Sequence, residues 1–185
     1  MRIGIAALIG AIIFFFWGMA AHTVLPLGEM GVKVPVNEDV VIQAIATGTP
    51  EAGIYRLPWI DMAKMSDEAA SAAWEAKAKA NRFSYLVVAD PQVDPMSMTG
   101  PLVKQFISVL LASLIVAWLL AATSWGFGAR VLGSVGIGVF GWLINTAPLT
   151  FWYLFPSQFM VGGLIEQVVG WLLAGLGIAW WLGRK

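Results

Sequence analysis

The sequence contains no cysteine and a single histidine among its 185 residues. Without cysteine, the chain can form no disulfide, no cysteine-ligated iron–sulfur cluster and no thiolate zinc site. A transition-metal site needs several convergent donors, and His22 with Glu29 makes a poor set. We therefore interpret His22 as a structural residue near the end of an apolar segment. The sequence predicts neither a metal nor a cofactor.

Charged residues are also scarce, at 12% of the chain, which is about half of their share in soluble domains. The signatures G-x-x-x-x-G-K-[ST], H-E-x-x-H and G-x-S-x-G are absent. Gly136-x-Gly138-x-x-Gly141 matches the dinucleotide-binding pattern by letter, but it lies inside an apolar run with no preceding strand. No basic patch indicates nucleic acid binding. These absences favour a noncatalytic protein with no nucleotide or nucleic acid partner.

Long apolar runs dominate the composition instead, since 59% of the residues are hydrophobic. A helix of roughly 20 residues crosses the hydrocarbon core of a bilayer. The sequence therefore predicts a mainly α-helical membrane protein with four transmembrane helices and a small α/β extracytoplasmic domain inserted between the first two. The predicted helices are residues 1–21 and, within a three-helix region at 105–185, residues near 105–123, 131–147 and 160–182.

The charges predict how the chain crosses the membrane. Residues 22–104 hold seven Lys/Arg against ten Asp/Glu. The helix ends on the opposite side from this segment carry Arg2, Arg130, Arg184 and Lys185. Positive residues favour the cytoplasmic side. We therefore expect both termini in the cytoplasm of a bacterium, residues 22–104 outside its inner (plasma) membrane, and the lipid bilayer as the main partner. Aromatic residues suit the two interfaces: Trp17, Trp152 and Tyr153 the outer one, and Trp125, Trp180 and Trp181 the inner one.

Residues 1–21 have an alternative interpretation as a cleaved signal peptide, because Met19–Ala21 supplies small residues near a possible cleavage point. The uncharged run from Ile3 to Ala21 is longer than the usual apolar region of about 7 to 15 residues. Its length favours a retained membrane anchor.

The inserted segment shows signals of a small α/β fold. Asn37 with Glu38 and Asp39 predicts a helix start, and Gly48 predicts its stop. A second helix is predicted from Ser66 to Ala80, with a favourable Glu75–Lys79 pair and Trp74 as a core residue; strands are predicted at Gly53–Pro58 and Arg82–Ala89, the second ending before Asp90-Pro91.

Glu166 is the most pointed candidate for a functional residue, because a carboxylate inside a membrane costs a few kcal/mol unless it is paired, protonated or hydrated. We expect Glu166, Gln167 and Asn145 to form a polar cluster facing the interior of the helix bundle. The alternative is that Glu166 and Gln167 lie at the outer interface, if the last helix begins later than predicted.

Small residues recur along one face of each of the last two helices. Small stripes let helix backbones approach closely in lipid. The two stripes are predicted either to pack on each other or to contact a partner subunit or a second copy of the chain. Their members are Ser134, Gly138 and Gly141 on the third helix, and Gly163, Gly170, Ala174 and Gly177 on the fourth.

Short patterns give the chain a family likeness. Ala21-His22-x-Val24-Leu25-Pro26, Gly53-Ile54-Tyr55-x-x-Pro58 and three closing helices resemble a family of small bacterial four-helix membrane proteins with no assigned activity. The resemblance implies topology and bacterial origin and brings no site residues. The layout is also similar to that of claudins, but their paired cysteines are absent.

Two functions remain open at this stage. The first is a noncatalytic accessory or scaffold subunit of a membrane complex, favoured by the small-residue stripes and the compact inserted domain. The second is a transporter or binding protein for a small molecule or lipid, acting as an oligomer. Glu166 and the broken segment Pro148–Pro156 favour the second function.

Overall fold

The computed structural model describes residues 1–90, 92–94 and 96–184. The α-helices and β-strands in chain order are α1 (Arg2–Thr23), α2 (Glu38–Gly48), β1 (Gly53–Leu57), α3 (Glu68–Ala80), β2 (Ser84–Val88), α4 (Thr99–Ala121), α5 (Phe127–Asn145), α6 (Ala147–Trp152) and α7 (Ser157–Gly183). Within the described residues, four helices are long and apolar enough to span a membrane: α1, α4, α5 continued by α6, and α7.

The chain divides into two compact units. Unit 1 consists of Met1–Val32 and Ser97–Lys185, and unit 2 is Lys33–Met96. Unit 2 is inserted between α1 and α4, and its limits are narrower than those of the predicted domain at 22–104. Residues 24–32 belong to unit 1 because their turn packs on α7, with the backbone oxygen of Leu27 and the side chain of Met30 against Gly162.

The long helices begin earlier than the apolar runs that predict them. α4 starts at Thr99 and includes Lys104, and α5 starts at Phe127 and includes Arg130. Pro101 fits the first turn of α4, since the first N–H groups of a helix have no intrahelical partner. The predicted limits mark where charge begins, whereas the helices continue through a polar first turn.

In unit 1, α1 and α7 form the centre. α1 packs extensively on α4 and α7, and α7 also packs on α5, whereas α4 and α5 touch much less. The start of α1 lies beside the end of α7, since the Arg2 guanidinium donates to the backbone oxygens of Leu182 and Arg184. The indole of Trp181 donates in return to the Arg2 backbone oxygen at 3.1 Å. The two central helices are therefore antiparallel.

Two members of the α5 stripe, Ser134 and Gly138, lie against α7. Ser134 is fully buried, and its hydroxyl lies 2.9 Å from the backbone oxygen of Trp171. A Cβ at Gly138 would come within 3.0 Å of the Trp171 indole, and Gly175 lies against Ser134 in the same way. Gly141, in contrast, has nothing within 4 Å of a Cβ position.

The small residues of α7 are shared between two neighbours. Gly163 faces Trp142 of α5 at ordinary contact distance. Gly170 and Gly177 instead face α1: a Cβ at Gly170 would lie 2.6 Å from the Phe14 ring, and one at Gly177 would lie 2.6 Å from Ile13. Ala174 is fully buried in the same core. The predicted single α7 stripe therefore serves α1 as well as α5.

Unit 2 holds a two-stranded antiparallel sheet in which Gly53 pairs with Val88 and Leu57 pairs with Ser84. The side chain of Asn37 caps α2, accepting a hydrogen bond from the Val40 N–H at 3.2 Å. α3 is capped by Asp67 rather than by the predicted Ser66. Pro91, predicted to follow the second strand, lies outside the described residues.

The interior of unit 2 is thin. Among its described residues only Thr49, Pro58 and Ile60 are buried, and neither α2 nor α3 buries a residue. Trp74 is half-buried, and its indole donates to the backbone oxygen of Pro58 at 3.1 Å. This contact ties α3 to the segment that follows β1.

Candidate functional site

An open cavity of about 580 Å³ lies in unit 1, where α1 ends and α4 begins. Cavities of this size can hold a small molecule. Its walls are largely apolar, and its polar side chains are few. The lining residues are Phe14, Phe15, Gly18, Met19, His22 and Thr23 of α1, Met98 just before α4, Leu102 and Gln105 of α4, and Glu166 of α7.

Glu166 and His22 form the polar pair of this cavity. The Glu166 carboxylate lies 3.3 Å from Nε2 of His22, and the two side chains are 22% and 53% exposed. The indole of Trp17 donates to the Glu166 backbone oxygen at 3.0 Å, which fixes this turn of α7 against α1. The glycine at position 18 leaves room beside the carboxylate, since a Cβ there would be 3.9 Å from Oε1.

The start of α7 decides how deep Glu166 lies along its helix. α7 begins at Ser157, three residues before the predicted position. Glu166 is therefore about 13 Å along the helix axis from its first residue. The interfacial alternative requires a later helix start, which would place Glu166 close to the helix end. The observed start is earlier, so Glu166 lies farther from that end.

The structure does not bring the three predicted polar residues together. The side-chain oxygen of Gln167 accepts a hydrogen bond from the indole of Trp171 at 3.1 Å. Asn145 is exposed and donates to the backbone oxygen of Gly141, one turn earlier in α5. Within the described chain, Glu166 shares no hydrogen bond with either residue, and its polar partner is His22.

His22 is held in place by the turn that follows α1. A Cβ at Gly28 would overlap the His22 imidazole, so the glycine lets the turn close over the ring. The pairing with Glu166 could not be predicted, because the residues are 144 positions apart and no local pattern joins them. No group of three or more His, Cys, Asp or Glu side chains in the described residues could hold a metal ion.

The chemistry of the cavity suits binding. A carboxylate and an imidazole at an apolar wall can accept hydrogen bonds from a donor or cationic group, while the aromatic rings hold an apolar body. The lining hydroxyl of Thr23 donates to the backbone oxygen of Met19 at 2.7 Å. It is therefore engaged within α1.

The fold and the cavity define a mainly helical protein with four helices able to span a membrane and a small inserted unit. No family model, curated protein or solved structure matches this chain.

Proposed function

We propose that the chain is an integral protein of the bacterial inner membrane, with both termini in the cytoplasm and unit 2 on the outer side. The distribution of charge in unit 1 supports this topology. Arg2 and Arg184 lie together at one end of the helices, and Arg130 lines a cavity with Arg2 there. Glu166 lies towards the opposite end, beside His22. The positive-inside rule orients the Arg end towards the cytoplasm. Lys185, predicted at the same end, lies outside the described residues.

Within this topology the protein acts as a noncatalytic accessory or scaffold subunit of a membrane complex. The observation that carries the proposal is the exposed apolar surface of unit 2. Trp59 and Met62 are 66% and 65% exposed, and the guanidinium of Arg56 lies 5.1 Å from the Trp59 ring centroid. Trp59 also lines an open cavity of about 470 Å³ with Trp74. We infer that these side chains belong to an interaction surface, because large exposed apolar patches mark interaction sites.

The charge of unit 2 favours a protein over a lipid surface as the partner. Its six Lys/Arg against nine Asp/Glu give a net charge of −3. Anionic lipid headgroups attract basic segments and would repel this unit. Arg and Trp are enriched at the energetic centres of protein interfaces. The Arg56–Trp59 pair therefore fits contact with another polypeptide.

Native mass spectrometry of the tagged full chain, purified in mild detergent from its own membrane, tests this role. We expect a second polypeptide in fixed ratio. Trp59→Ser should lose it, whereas Val93→Ser, which also shortens an exposed apolar side chain, should retain it. A chain that purifies without any second polypeptide, or equal retention in both variants, would contradict the accessory role.

A second candidate function is the binding or transport of an amphipathic small molecule or lipid. The apolar cavity with its Glu166–His22 pair favours it. The segment between α5 and α7 is also interrupted, with the short α6 and Leu154 at a φ of 58°. Interrupted helices line binding sites in many transporters. Four helices are few for a transporter, so this function requires an oligomer.

Two glycines of α1 provide a matched test of the cavity. Gly18→Leu should fill the cavity, since its Cβ has room and its longer side chain points towards the lining. Gly4→Leu adds the same side chain to the same helix, where nothing lies within 4 Å. We expect a lipid or metabolite that copurifies with the wild type to be lost in the first variant only. Loss in both variants, or in neither, would exclude this cavity as its site.

A further inference from the structure

A second cavity, of about 280 Å³, lies at the other end of unit 1. It is formed where α1 and α5 begin and where α4 and α7 end. Its lining combines two guanidinium groups with three apolar side chains. The residues are Arg2, Ile3, Ala121, Arg130 and Leu182. None of them belongs to the Glu166 cavity or to unit 2.

One nitrogen of Arg130 lacks a hydrogen-bond partner among the described residues. Arg130 is the fourth residue of α5, it is half-buried, and its buried Nε makes no hydrogen bond to any described residue. A buried charged donor left unpaired is costly, so an anion from outside the chain would relieve that cost. The two side-chain carboxylates of unit 1 do not pair with Arg130. Glu166 contacts His22 near the end of α1, and Glu29 follows α1 in sequence.

Arg2 is already held in place beside the cavity. One terminal nitrogen donates to the backbone oxygens of Leu182 and Arg184, so its guanidinium is fixed against the end of α7. The remaining Arg2 donors have no partner among the described residues. Guanidinium groups bind phosphate oxygens through paired hydrogen bonds, more specifically than an ammonium group does.

We propose that this cavity binds the phosphate of an anionic phospholipid headgroup. Ile3, Ala121 and Leu182 supply an apolar wall beside the two guanidiniums. Arg130 lies one turn inside α5, close to the end of the apolar helix, which is the depth of the headgroups if the helix spans the bilayer. Basic pockets between transmembrane helices on the cytoplasmic side bind such lipids. The inference uses the proposed membrane topology and is independent of any partner of unit 2.

Titration of the full chain with phosphatidylglycerol in detergent, followed by native mass spectrometry, tests the site. Arg130→Gln should weaken binding roughly tenfold, the loss expected when a charge-assisted hydrogen bond is removed. Arg184→Gln is the matched control, because it removes the same charge at the same end from a residue that stacks on Trp180 at 4.6 Å. We expect this control to bind within about twofold of the wild type, since an exposed charge outside the site contributes little. Phosphatidylcholine should bind more weakly than phosphatidylglycerol.

Inorganic phosphate distinguishes the two sources of the ligand. If millimolar phosphate leaves phosphatidylglycerol bound, the site recognises the lipid; if it displaces the lipid, the site takes free phosphate and the lipid proposal is overturned. Equal weakening in both variants, equal binding of the two lipids or unchanged binding in Arg130→Gln would also overturn it.

Thermal unfolding keeps the test valid if the variant folds poorly. Without lipid, Arg130→Gln should be at least as stable as the wild type, because it removes a buried Nε that has no hydrogen-bond partner among the described residues. Phosphatidylglycerol should raise the Tm of the wild type and of Arg184→Gln only. If Arg130 has only a structural role, its replacement should instead lower the Tm measured without lipid.

Arg130→Lys keeps the positive charge but loses the planar guanidinium. It should bind phosphatidylglycerol with an affinity between those of the wild type and Arg130→Gln, and wild-type affinity in Arg130→Lys would contradict a guanidinium site.

Discussion

At Gly138, α5 approaches α7 closely because the glycine has no side chain. Trp171 covers it, and the indole is anchored by its hydrogen bond to Gln167. In Gly138→Ala the new methyl group would overlap the near end of this side chain, which cannot swing away cheaply. We expect a loss of about 1–3 kcal/mol in the free energy of unfolding, as for other overpacked cores. Thermal or denaturant unfolding in detergent would measure it.

Gly136→Ala is the control for this prediction. Gly136 lies on the same helix, and nothing lies within 4 Å of its Cβ position. Alanine there should be neutral or stabilising by up to about 1 kcal/mol, because glycine is the poorer helix former. Equal destabilisation in both variants would show that the α5–α7 contact does not depend on close approach at Gly138.

Glu75 and Lys79 make a prediction about pH. The side-chain hydrogen bond from Lys79, at 2.5 Å, and then the attraction of its charge lower the pKa of Glu75 below its ordinary value of 4.5. A lowered folded-state pKa means that the pair supports α3 above pH 4.5 and that this support is lost as the pH falls through the folded-state pKa. NMR titration of the Glu75 carboxyl should show the pKa rising towards 4.5 in Lys79→Gln.

Lys77→Gln removes the same charge from the same helix and is the control for that titration. Residues two apart on a helix do not face each other, so this variant should leave the pKa of Glu75 much closer to its wild-type value. The Lys79 effect should also shrink at high salt, because Glu75 is exposed and surface pairs are screened. A pKa unchanged by Lys79→Gln would show that the pair does not form in solution.

At the scale of elements, local signals predicted local structure well. Asn37, Gly48 and the Gly53–Pro58 pattern led to α2 and β1 within a residue or so, because caps and strand patterns act over a few positions. The four apolar helices were predicted from long runs of apolar residues. The residues at which α4, α5 and α7 begin were not predicted, because hydropathy indicates which residues suit lipid and does not indicate the first hydrogen bonds of a helix.

The neighbours of each helix were much harder to predict. Small residues on α7 indicate a close approach without naming the partner, and Gly170 and Gly177 turned out to face α1. The same limit applies to the candidate site. Glu166 was singled out by its cost in an apolar helix, but its contact with His22 depends on how α1 and α7 align. Such alignment follows from the packing of whole helices and leaves no short motif.

α2 illustrates an element that depends on its cap. It buries no residue, so tertiary packing contributes little to its stability. We expect Asn37→Ala to cost about 1 kcal/mol, the usual loss for a removed N-cap. Hydrogen exchange of amides 38–48 in the full chain should then be roughly fivefold faster, if exchange follows local opening of this helix.

Asn37→Asp keeps an acceptor at the cap and should preserve the protection of α2, because aspartate caps as well as asparagine. Exchange at α3, which has its own cap at Asp67, should not change in either variant. If Asn37→Ala leaves exchange at 38–48 unaltered, then α2 is stabilised by contacts other than its cap.

At the scale of the whole molecule, the charges at the helix ends of unit 1 support the proposed topology. The helices carry Arg2, Arg130 and Arg184 at one end, and unit 2 carries a net charge of −3. In the proposed topology the Arg end faces the cytoplasm, because positive residues near helix ends favour that side. The proposed anionic lipid site follows from this arrangement, because anionic lipids are abundant on the cytoplasmic leaflet.

The absence of cysteine makes this topology directly testable, because one introduced thiol is the only reactive one in the chain. Gly48→Cys places a thiol at the end of α2 in unit 2, and Gly128→Cys places one near the start of α5, both where nothing lies within 4 Å of the Cβ. In cells whose outer membrane is permeabilised and whose inner membrane is intact, a charged maleimide that cannot cross the inner membrane should label the first thiol only. After the inner membrane is disrupted, it should label both, which shows that the second thiol is reactive. Labelling of Gly128→Cys in intact cells would reverse the topology and place the Arg2–Arg130 cavity on the outer side.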